Sequence, residues 1–154
     1  MNVGEINRKA GFTLIELLVT IAMIAIIATI AVPNFQSLMA RNQLSTDFNQ
    51  ILTSMHYARS EAAKRREPVS VMITTTNGWE LIVTHSGQEL RKISSQGGDV
   101  SVTSGDLSVT FNAFGWSDCP VAIPCSVSVQ HSYYSGSPES LEINSVGKVT
   151  RIDT

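Results

Sequence analysis

The sequence has little of what catalysis, metal binding or attraction to nucleic acid requires. Its formal net charge is −2 over 154 residues, so no overall field would draw it to nucleic acid or an anionic membrane. The histidines His56, His85 and His131 are scattered, without further ligands at metal-binding spacing. The S-x-x-K pattern at residues 145–148 lacks the S-D-N and K-T-G elements of serine acylases. We therefore expect no metal, no cofactor and no enzymatic activity.

Cysteine is also scarce, and long internal repeats and low-complexity stretches are lacking. Cys119 and Cys125 are the two cysteines, six positions apart. Such a pair is either a disulfide or two free thiols, depending on the compartment in which the domain resides. The length suffices for one membrane-length helix and one small globular domain.

What the sequence does have is a long apolar run near its N-terminus. Residues 17–32 contain no charged side chain, and residues 12–32 together match the roughly 20 residues that cross a bilayer as a helix. Arg8 and Lys9 precede the run, which predicts a cytoplasmic N-terminus and export of the remaining chain. A secretory signal peptide is the alternative, but it would have a shorter apolar core and a stronger cleavage site than residues 31–34 provide.

One carboxylate, Glu16, lies inside this run. An ionisable group within an apolar helix costs roughly 2.5–3.5 kcal/mol, so it needs a partner or a function. Glu16 either snorkels to the membrane interface or pairs with a cation. Cleavage after Gly11 would give Phe12 a free α-amine, cationic at neutral pH and about one helical turn from Glu16. The two charges would then pair between neighbouring subunits in an apolar helix bundle.

The motif KAGFTLIE at residues 9–16 resembles the class III signal of type IV pilins and type II secretion pseudopilins. The resemblance covers residues 1 to about 40. It implies a leader, residues 1–11, that a prepilin peptidase/methyltransferase removes after Gly11 before N-methylating Phe12. It also implies that Glu16 recruits and registers each subunit within a transmembrane and assembly helix, residues 12–33. Pro33 matches the family position of a helix kink, and proline has that effect in any helix.

Beyond Pro33 the sequence becomes amphipathic, and we expect a helix extension over residues 34–67. Apolar residues recur at three- and four-residue steps on one face: Leu44, Phe48, Ile51, Leu52, Met55, Ala58 and Ala62. Polar residues occupy the other faces: Asp47, Asn49, Gln50, Ser54, Arg59 and Glu61. The apolar stripe is expected to pack on a sheet, with a partner helix as the alternative.

Two signals mark the end of this helix. Pro68 disfavours helical geometry at Glu67, so the helix should end near Arg66. The basic run of residues 64–66 then lies in the last turn, where cations suit the helix dipole. Contact with nucleic acid is the alternative role for that run.

Residues 57–62 (YARSEA) and 69–71 (VSV) resemble the GspH/FimT/FimU group of minor pilins and pseudopilins. The resemblance implies a structural subunit of the tip or initiation complex of a type IV pilus or type II secretion pseudopilus. Its partners would be other minor and major pilins or pseudopilins. The protein would be a single-pass inner-membrane protein with its C-terminal domain in the periplasm, and later part of the filament. A membrane protein that never polymerises is the alternative.

The sequence of residues 68–154 predicts a periplasmic β domain, because the apolar period changes to two after Pro68. Asn77-Gly78 separates two alternating stretches and indicates a hairpin. Further strands are expected at residues 89–93, 100–103, 107–112, 125–131, 140–143 and 148–152. The predicted fold class is therefore α+β, a long N-terminal helix packed on an antiparallel β-sandwich-like domain.

Export also bears on the cysteines. Because residues beyond the anchor would lie outside the cytoplasm, where disulfides persist, we expect Cys119 and Cys125 to form a structural bond across the loop of residues 120–124.

The last strand contains the one candidate ligand signal. The segment resembles the C-terminal strand of some FimT-like pilins. In those pilins a G-R-x-R element at this place is implied to bind DNA. In this chain Lys148 holds the first basic position, Thr150 replaces the second arginine, and Arg151 falls on the opposite face of the strand. Two or three phosphate contacts would give weak, salt-sensitive DNA binding. Solvated charges that guard an edge strand are the alternative.

Overall fold

The computed structural model describes residues 11–76, 78–95, 97–119 and 124–152. It divides the chain into two compact units, one ending at Gln36 and the other spanning Ser37–Thr154. Most of the predicted leader, the hairpin residue Asn77 and residues 120–123 of the cysteine loop lie outside the described residues.

A single long helix, α1, spans Leu14–Arg65. It begins after Thr13, whose Oγ1 accepts a hydrogen bond from the backbone N–H of Glu16 at 3.3 Å. Thr13 and Glu16 thus form the T-x-x-E pattern of a helix N-terminus. The helical assignment continues through Pro33, and the kink there stays a prediction. The helix ends one residue before the expected Arg66, which adopts a left-handed φ of 58°.

The part of α1 in the first unit has no internal core. Every residue from 11 to 36 is exposed, and most of these residues are apolar. Because of this part, α1 is long and apolar enough to cross a membrane, which is true of no other helix among the described residues. An apolar surface of this size requires a lipid or protein environment.

The second unit combines the rest of α1 with two antiparallel sheets. The strands are β1 Val69–Thr74, β2 Glu80–His85, β3 Gln88–Ser94, β4 Val100–Val102, β5 Leu107–Phe111, β6 Ser117–Asp118, β7 Cys125–His131, β8 Glu139–Ile143 and β9 Val149–Ile152. One sheet has the order β3-β2-β1-β5-β6 and the other β4-β7-β8-β9. The predicted α+β class is confirmed, while the two-residue strand β6 was not predicted because it is too short to show a period.

The apolar stripe of α1 packs on the sheets, as expected. Leu44, Phe48, Ile51 and Met55 are fully or almost fully buried, in one cluster with inward residues of both sheets. The strands follow the predicted period of two, so that alternate side chains of β1 and β5 enter this cluster. All buried residues of the described chain lie between Ala40 and Val149. The unit Ser37–Thr154 therefore carries its own core and can be expected to fold alone.

Three polar residues expected on the open faces of α1 are buried instead: Asp47, Ser54 and Glu61. Each has a hydrogen-bonding partner, which burial of a polar group requires. Asp47 Oδ2 accepts a bond from Trp79 Nε1 at 3.0 Å, and Ser54 Oγ donates to the Gln50 carbonyl at 2.7 Å. Glu61 pairs with Arg65 at 2.8 Å and with Lys64 at 3.4 Å. The periodicity showed where these residues lie along the helix, and it gave no sign of these partners.

Asp47 and Glu61 should affect the pH dependence of stability in opposite directions. Burial raises the pKa of Asp47 despite its bond from Trp79, so its ionisation in the folded state removes stability as pH rises above the ordinary carboxyl range. The bond from Arg65 lowers the pKa of Glu61, so its contribution is present at neutral pH and is lost on acidification. Relative to wild type, the unfolding free energy of Asp47→Asn should therefore rise as the pH increases above about 4, the ordinary range of an aspartate pKa.

The matched variant Glu61→Gln should show the reverse trend at lower pH. Its unfolding free energy relative to wild type should fall as the pH rises towards about 4.5, because the lowered pKa of Glu61 confines this titration to the range below the ordinary glutamate value. Urea unfolding of the unit Ser37–Thr154 at several pH values measures how the unfolding free energy of each variant depends on pH. Equal slopes for the two variants would contradict these assignments.

A disulfide joins Cys119, which follows β6, to Cys125, the first residue of β7. Their Cα atoms are 6.3 Å apart, and the two cysteines are six positions apart in sequence. Both cysteines are buried. The bond therefore ties the ends of one strand from each sheet.

Removing this bond with Cys119→Ser/Cys125→Ser should lower the unfolding free energy by about 2 kcal/mol, as expected for closure of so short a loop. Urea unfolding of the wild type with and without reductant should show the same loss, while the double variant should not respond to reductant. A wild type that is equally stable after complete reduction would contradict the prediction.

Candidate assembly and processing site

The predicted cleavage site lies in an accessible segment. Gly11, Phe12 and Thr13 are exposed and precede the first helical residue, Leu14. Exposed backbone outside regular structure is where proteases act most readily. The bond between Gly11 and Phe12 is thus outside the helix and open to an enzyme.

Glu16 lies in the first turn of α1, three residues after Thr13. A carboxylate there is favoured by the positive end of the helix dipole. Its neighbours Leu14, Ile15 and Leu17 are all exposed apolar residues. The first turn therefore presents one anion in an apolar surface, where it can meet a cation brought in by another helix.

Thr13 is the residue of this site that sequence reasoning missed. Its hydroxyl caps the helix through the N–H of Glu16, so the turn that carries the carboxylate is held by a neighbouring side chain. The T-x-x-E spacing was the available signal. It was hidden because the same four residues belong to the processing motif.

The candidate DNA-binding residues Lys148 and Arg151 have different environments. Lys148 is exposed in the turn between β8 and β9. Arg151 lies within β9, where its Nη2 is 2.7 Å from Glu139 Oε2 and its guanidinium carbon is 5.2 Å from the centre of the Phe48 ring. Arg151 therefore already serves the contact between β9, β8 and α1.

A polar hollow of about 240 Å³ lies next to this ion pair. Arg41 of α1 and Arg151 line it together with Tyr134, Ser137 and Glu139. The Glu139 carboxylate partly neutralises the two guanidinium groups, so the local field favours an anion only weakly.

None of the described residues form a cluster of three or more histidine, cysteine, aspartate or glutamate side chains able to hold a metal ion. His131 instead lies 3.3 Å from Gln43 Oε1. His85 Nε2 lies 3.0 Å from Glu67 Oε2. These histidines have local structural partners on separate parts of the second unit.

An exposed apolar N-terminal helix half followed by a helix-packed antiparallel β domain defines a pilin-type subunit. Comparison with known families agrees. The model of the type II transport protein GspH family matches residues 47–147, and the prokaryotic N-terminal methylation motif matches residues 6–32. The chain therefore belongs to the GspH family of type IV minor pilins and pseudopilins, whose members are structural subunits and not enzymes.

Curated relatives match over only part of the chain. Fimbrial protein EcpC of Eikenella corrodens is 56% identical over 41 residues, 27% of each chain. A fimbrial protein of Pseudomonas aeruginosa is 33% identical over 80 residues, 52% of each chain. The matches thus span only about a quarter to a half of these relatives.

A solved structure resembles the fold over a larger part of the chain. The type IV minor pilin FimU of Pseudomonas aeruginosa superposes with a TM-score of 0.60 over 73% of this chain and 90% of that one. The sequence identity is 21%. At this identity the likeness establishes the fold, a pilin fold, and nothing finer.

Proposed function

We propose that this chain is a minor subunit of the tip or initiation complex of a type IV pilus or type II secretion pseudopilus. The observation that carries the proposal is the exposed apolar segment of residues 12–36, which has one carboxylate in its first turn beside an accessible Gly11–Phe12 bond. Such a segment can be anchored in a membrane and then moved into a helix bundle without unfolding, because both environments accept its apolar surface.

Processing is the first step of the proposed mechanism. A prepilin peptidase/methyltransferase cuts after Gly11 and methylates Phe12, and the match of residues 6–32 to the methylation motif supports this step. The cut removes Arg8 and Lys9 and leaves a cationic amine near Glu16. The new charge is what converts an anchor into an assembly helix.

Assembly then depends on pairing that amine with Glu16 between subunits. Within an apolar bundle each charge would be costly alone, and a mispositioned subunit leaves both unpaired. The pair therefore fixes the register of an incoming subunit, while the surrounding apolar residues supply contact area. Pro33 would allow the helix to bend where it leaves the bundle.

The proposed orientation places the unit Ser37–Thr154 in the periplasm. The basic residues before the apolar run support it through the positive-inside rule. The disulfide between Cys119 and Cys125 also supports it, since such bonds persist in oxidising compartments.

A position at the tip can be tested by gold labelling of sheared filaments with antibodies against the unit Ser37–Thr154. We expect label at filament ends, whereas antibodies against the major subunit should label the full length. Label spread along the shaft would contradict a tip position, and filaments without any label would contradict the proposed function as a whole.

DNA capture is a second candidate function. Exposed Lys148 favours it, and Arg41 and Arg151 add two cations around one hollow. Glu139 opposes it by pairing with Arg151.

A gel shift of the unit Ser37–Thr154 with duplex DNA, at low and at moderate salt, tests this candidate. Lys148→Ala should be compared with the control Lys92→Ala, which removes a lysine that is paired with Glu80 elsewhere in the domain. Absence of a shift at low salt would end this candidate, because phosphate contacts are strongest there.

A further inference from the structure

Two turns of the second unit share one sequence pattern and one hydrogen-bonding pattern. Residues 112–116 read NAFGW and residues 144–148 read NSVGK. In each, the asparagine carbonyl accepts from the glycine N–H at 2.8 Å, and the asparagine side chain accepts from the N–H of the fifth residue, at 3.0 Å in the first turn and 2.9 Å in the second. The glycines have φ values of 75° and 72°, in the region that favours glycine. Each turn is thus locked by its own asparagine.

The two turns are also fastened to each other. Arg59 of α1 donates from Nε to the carbonyl of Gly115 at 3.0 Å and from Nη2 to the carbonyl of Val146 at 3.2 Å. Gly147 lies so close to the Gly115 carbonyl that a Cβ there would collide with it. The N–H of Ser117 donates to the Ser145 carbonyl at 3.2 Å. The turns therefore form one ordered surface, which we call the twin-turn surface (residues 112–116 and 144–148).

This surface holds large apolar side chains in solvent. Phe114 is 82% exposed, Trp116 57% and Val146 50%, and the Phe114 and Trp116 ring centres are 6.4 Å apart. Single exposed apolar residues are common and need no explanation. Three of them on turns fixed by side-chain hydrogen bonds are different, because ordering them in advance lowers the entropy cost of binding a partner. Aromatic side chains of this kind supply most of the energy at protein interfaces.

We propose that the twin-turn surface docks the globular domain of a different pilin or pseudopilin in the same complex, at an apolar recess with a carboxylate on its rim. The carboxylate on the partner is inferred from Lys148, which is exposed at the edge of the surface. Charges at the rim of an interface favour partners of opposite sign. The proposal rests on the proposed function, because it requires that the chain assembles with other subunits.

A second copy of this chain fits less well than a different subunit. Neighbours in a helical filament are related by a screw operation, so a surface meets a different surface on the next subunit and not itself. The hollow beside Arg41 and Arg151 is polar. A second hollow, of about 390 Å³, is lined by Gln43, Thr46, Asp47 and Gln50, which are all polar. Neither of these two hollows offers the apolar recess that Phe114 and Trp116 require. A third hollow, of about 130 Å³, has Leu107 and Pro124 in its lining together with Asp106, so the screw relation is the main argument against a second copy.

The test measures binding by calorimetry between the unit Ser37–Thr154 and the helix-free globular domains of each pilin or pseudopilin encoded beside this chain. We expect one of them to bind. The double variant Phe114→Ser/Trp116→Ser should raise the Kd by at least about thirtyfold, because it removes two aromatic anchors. Tyr133→Ser, at another exposed aromatic residue on a different turn, should change the Kd by less than about twofold. Arg59→Ala should raise the Kd about fivefold, because the two turns would no longer be held in place before binding.

Three results would overturn the inference: no domain binds, the double variant binds as tightly as the wild type, or the unit binds only itself or single-stranded DNA through these aromatic residues. Thermal unfolding of each variant verifies that it is folded. Failure of this binding with gold label still at filament ends would reject the docking surface and keep the proposed function. The opposite combination, binding in solution and no label on filaments, would reject the proposed function.

Discussion

Replacing Glu16 with alanine should leave a processed, membrane-resident protein that no longer enters filaments. In the bundle, the Phe12 amine of a neighbour would lose its partner, and an unpaired charge in an apolar helix costs about 2.5–3.5 kcal/mol. That cost is equivalent to a loss of about a hundredfold in the equilibrium for incorporation. The amount of the chain in sheared filaments, relative to the amount in membranes, measures the effect by immunoblot.

Thr13→Ala is the matched control for this variant. It removes the hydroxyl that caps the helix at the N–H of Glu16 and leaves the carboxylate in place. Losing an N-cap costs about 1 kcal/mol, so incorporation should fall by no more than about fivefold, far less than for Glu16→Ala. If Thr13→Ala were as defective as Glu16→Ala, helix capping and not charge pairing would explain the requirement for this turn. Normal incorporation of Glu16→Ala would refute the charge pair.

Replacing Phe48 with alanine should strongly destabilise the second unit. Phe48 is fully buried where α1 meets the sheets. The Arg151 guanidinium also lies over its ring. Deleting a buried phenylalanine side chain leaves a cavity and typically costs about 3–5 kcal/mol. Urea unfolding of the unit Ser37–Thr154 should therefore show a fall of about 4 kcal/mol in the free energy of unfolding.

Met72→Ala provides the comparison, because Met72 is an exposed residue on the outer side of β1. Its replacement should change the unfolding free energy by no more than about 0.5 kcal/mol. Arg151→Ala should have an intermediate effect through loss of the contact with Phe48 and the ion pair with Glu139. Equal stabilities for the Phe48 and Met72 variants would show that α1 is not part of the core.

The sequence predicted those parts of the fold that depend on local periodicity. The stripe from Leu44 to Ala62 recurs at helical spacing and is the face that packs on the sheets. The alternation in Val69, Val71 and Ile73 is also matched by burial on one side of β1. Such patterns are readable because one buried face imposes the same period on every residue of an element.

What could not be predicted depends on residues distant in sequence. Trp79 gives Asp47 its hydrogen bond from 32 positions away, and no local pattern distinguishes that aspartate from solvated ones. Arg59 reaches the carbonyls of Gly115 and Val146 across 56 and 87 positions. The two turns share the N-x-x-G spacing in the sequence, but that spacing alone did not predict the turn at residues 112–116. Their closeness in space, which makes them one surface, became evident only when β5, β6, β8 and β9 had been placed.

The N-terminal site behaves differently from the β domain. The proposed roles of Gly11, Phe12 and Glu16 follow from a short motif with a definite chemical purpose, whereas the partner surfaces of the second unit arise from tertiary structure. The helix is therefore readable from a local motif, whereas the twin-turn surface depends on how distant segments of the chain pack.

The most direct test of the central claim is intact-mass analysis of this chain recovered from purified filaments. The account predicts a protein that begins at Phe12, bears one methyl group on its α-nitrogen and retains the Cys119–Cys125 disulfide. The chain in membranes from a strain without the prepilin peptidase should instead begin at Met1 and be absent from filaments. Recovery from filaments of a chain that still begins at Met1 would contradict the account, because the amine that pairs with Glu16 would not exist.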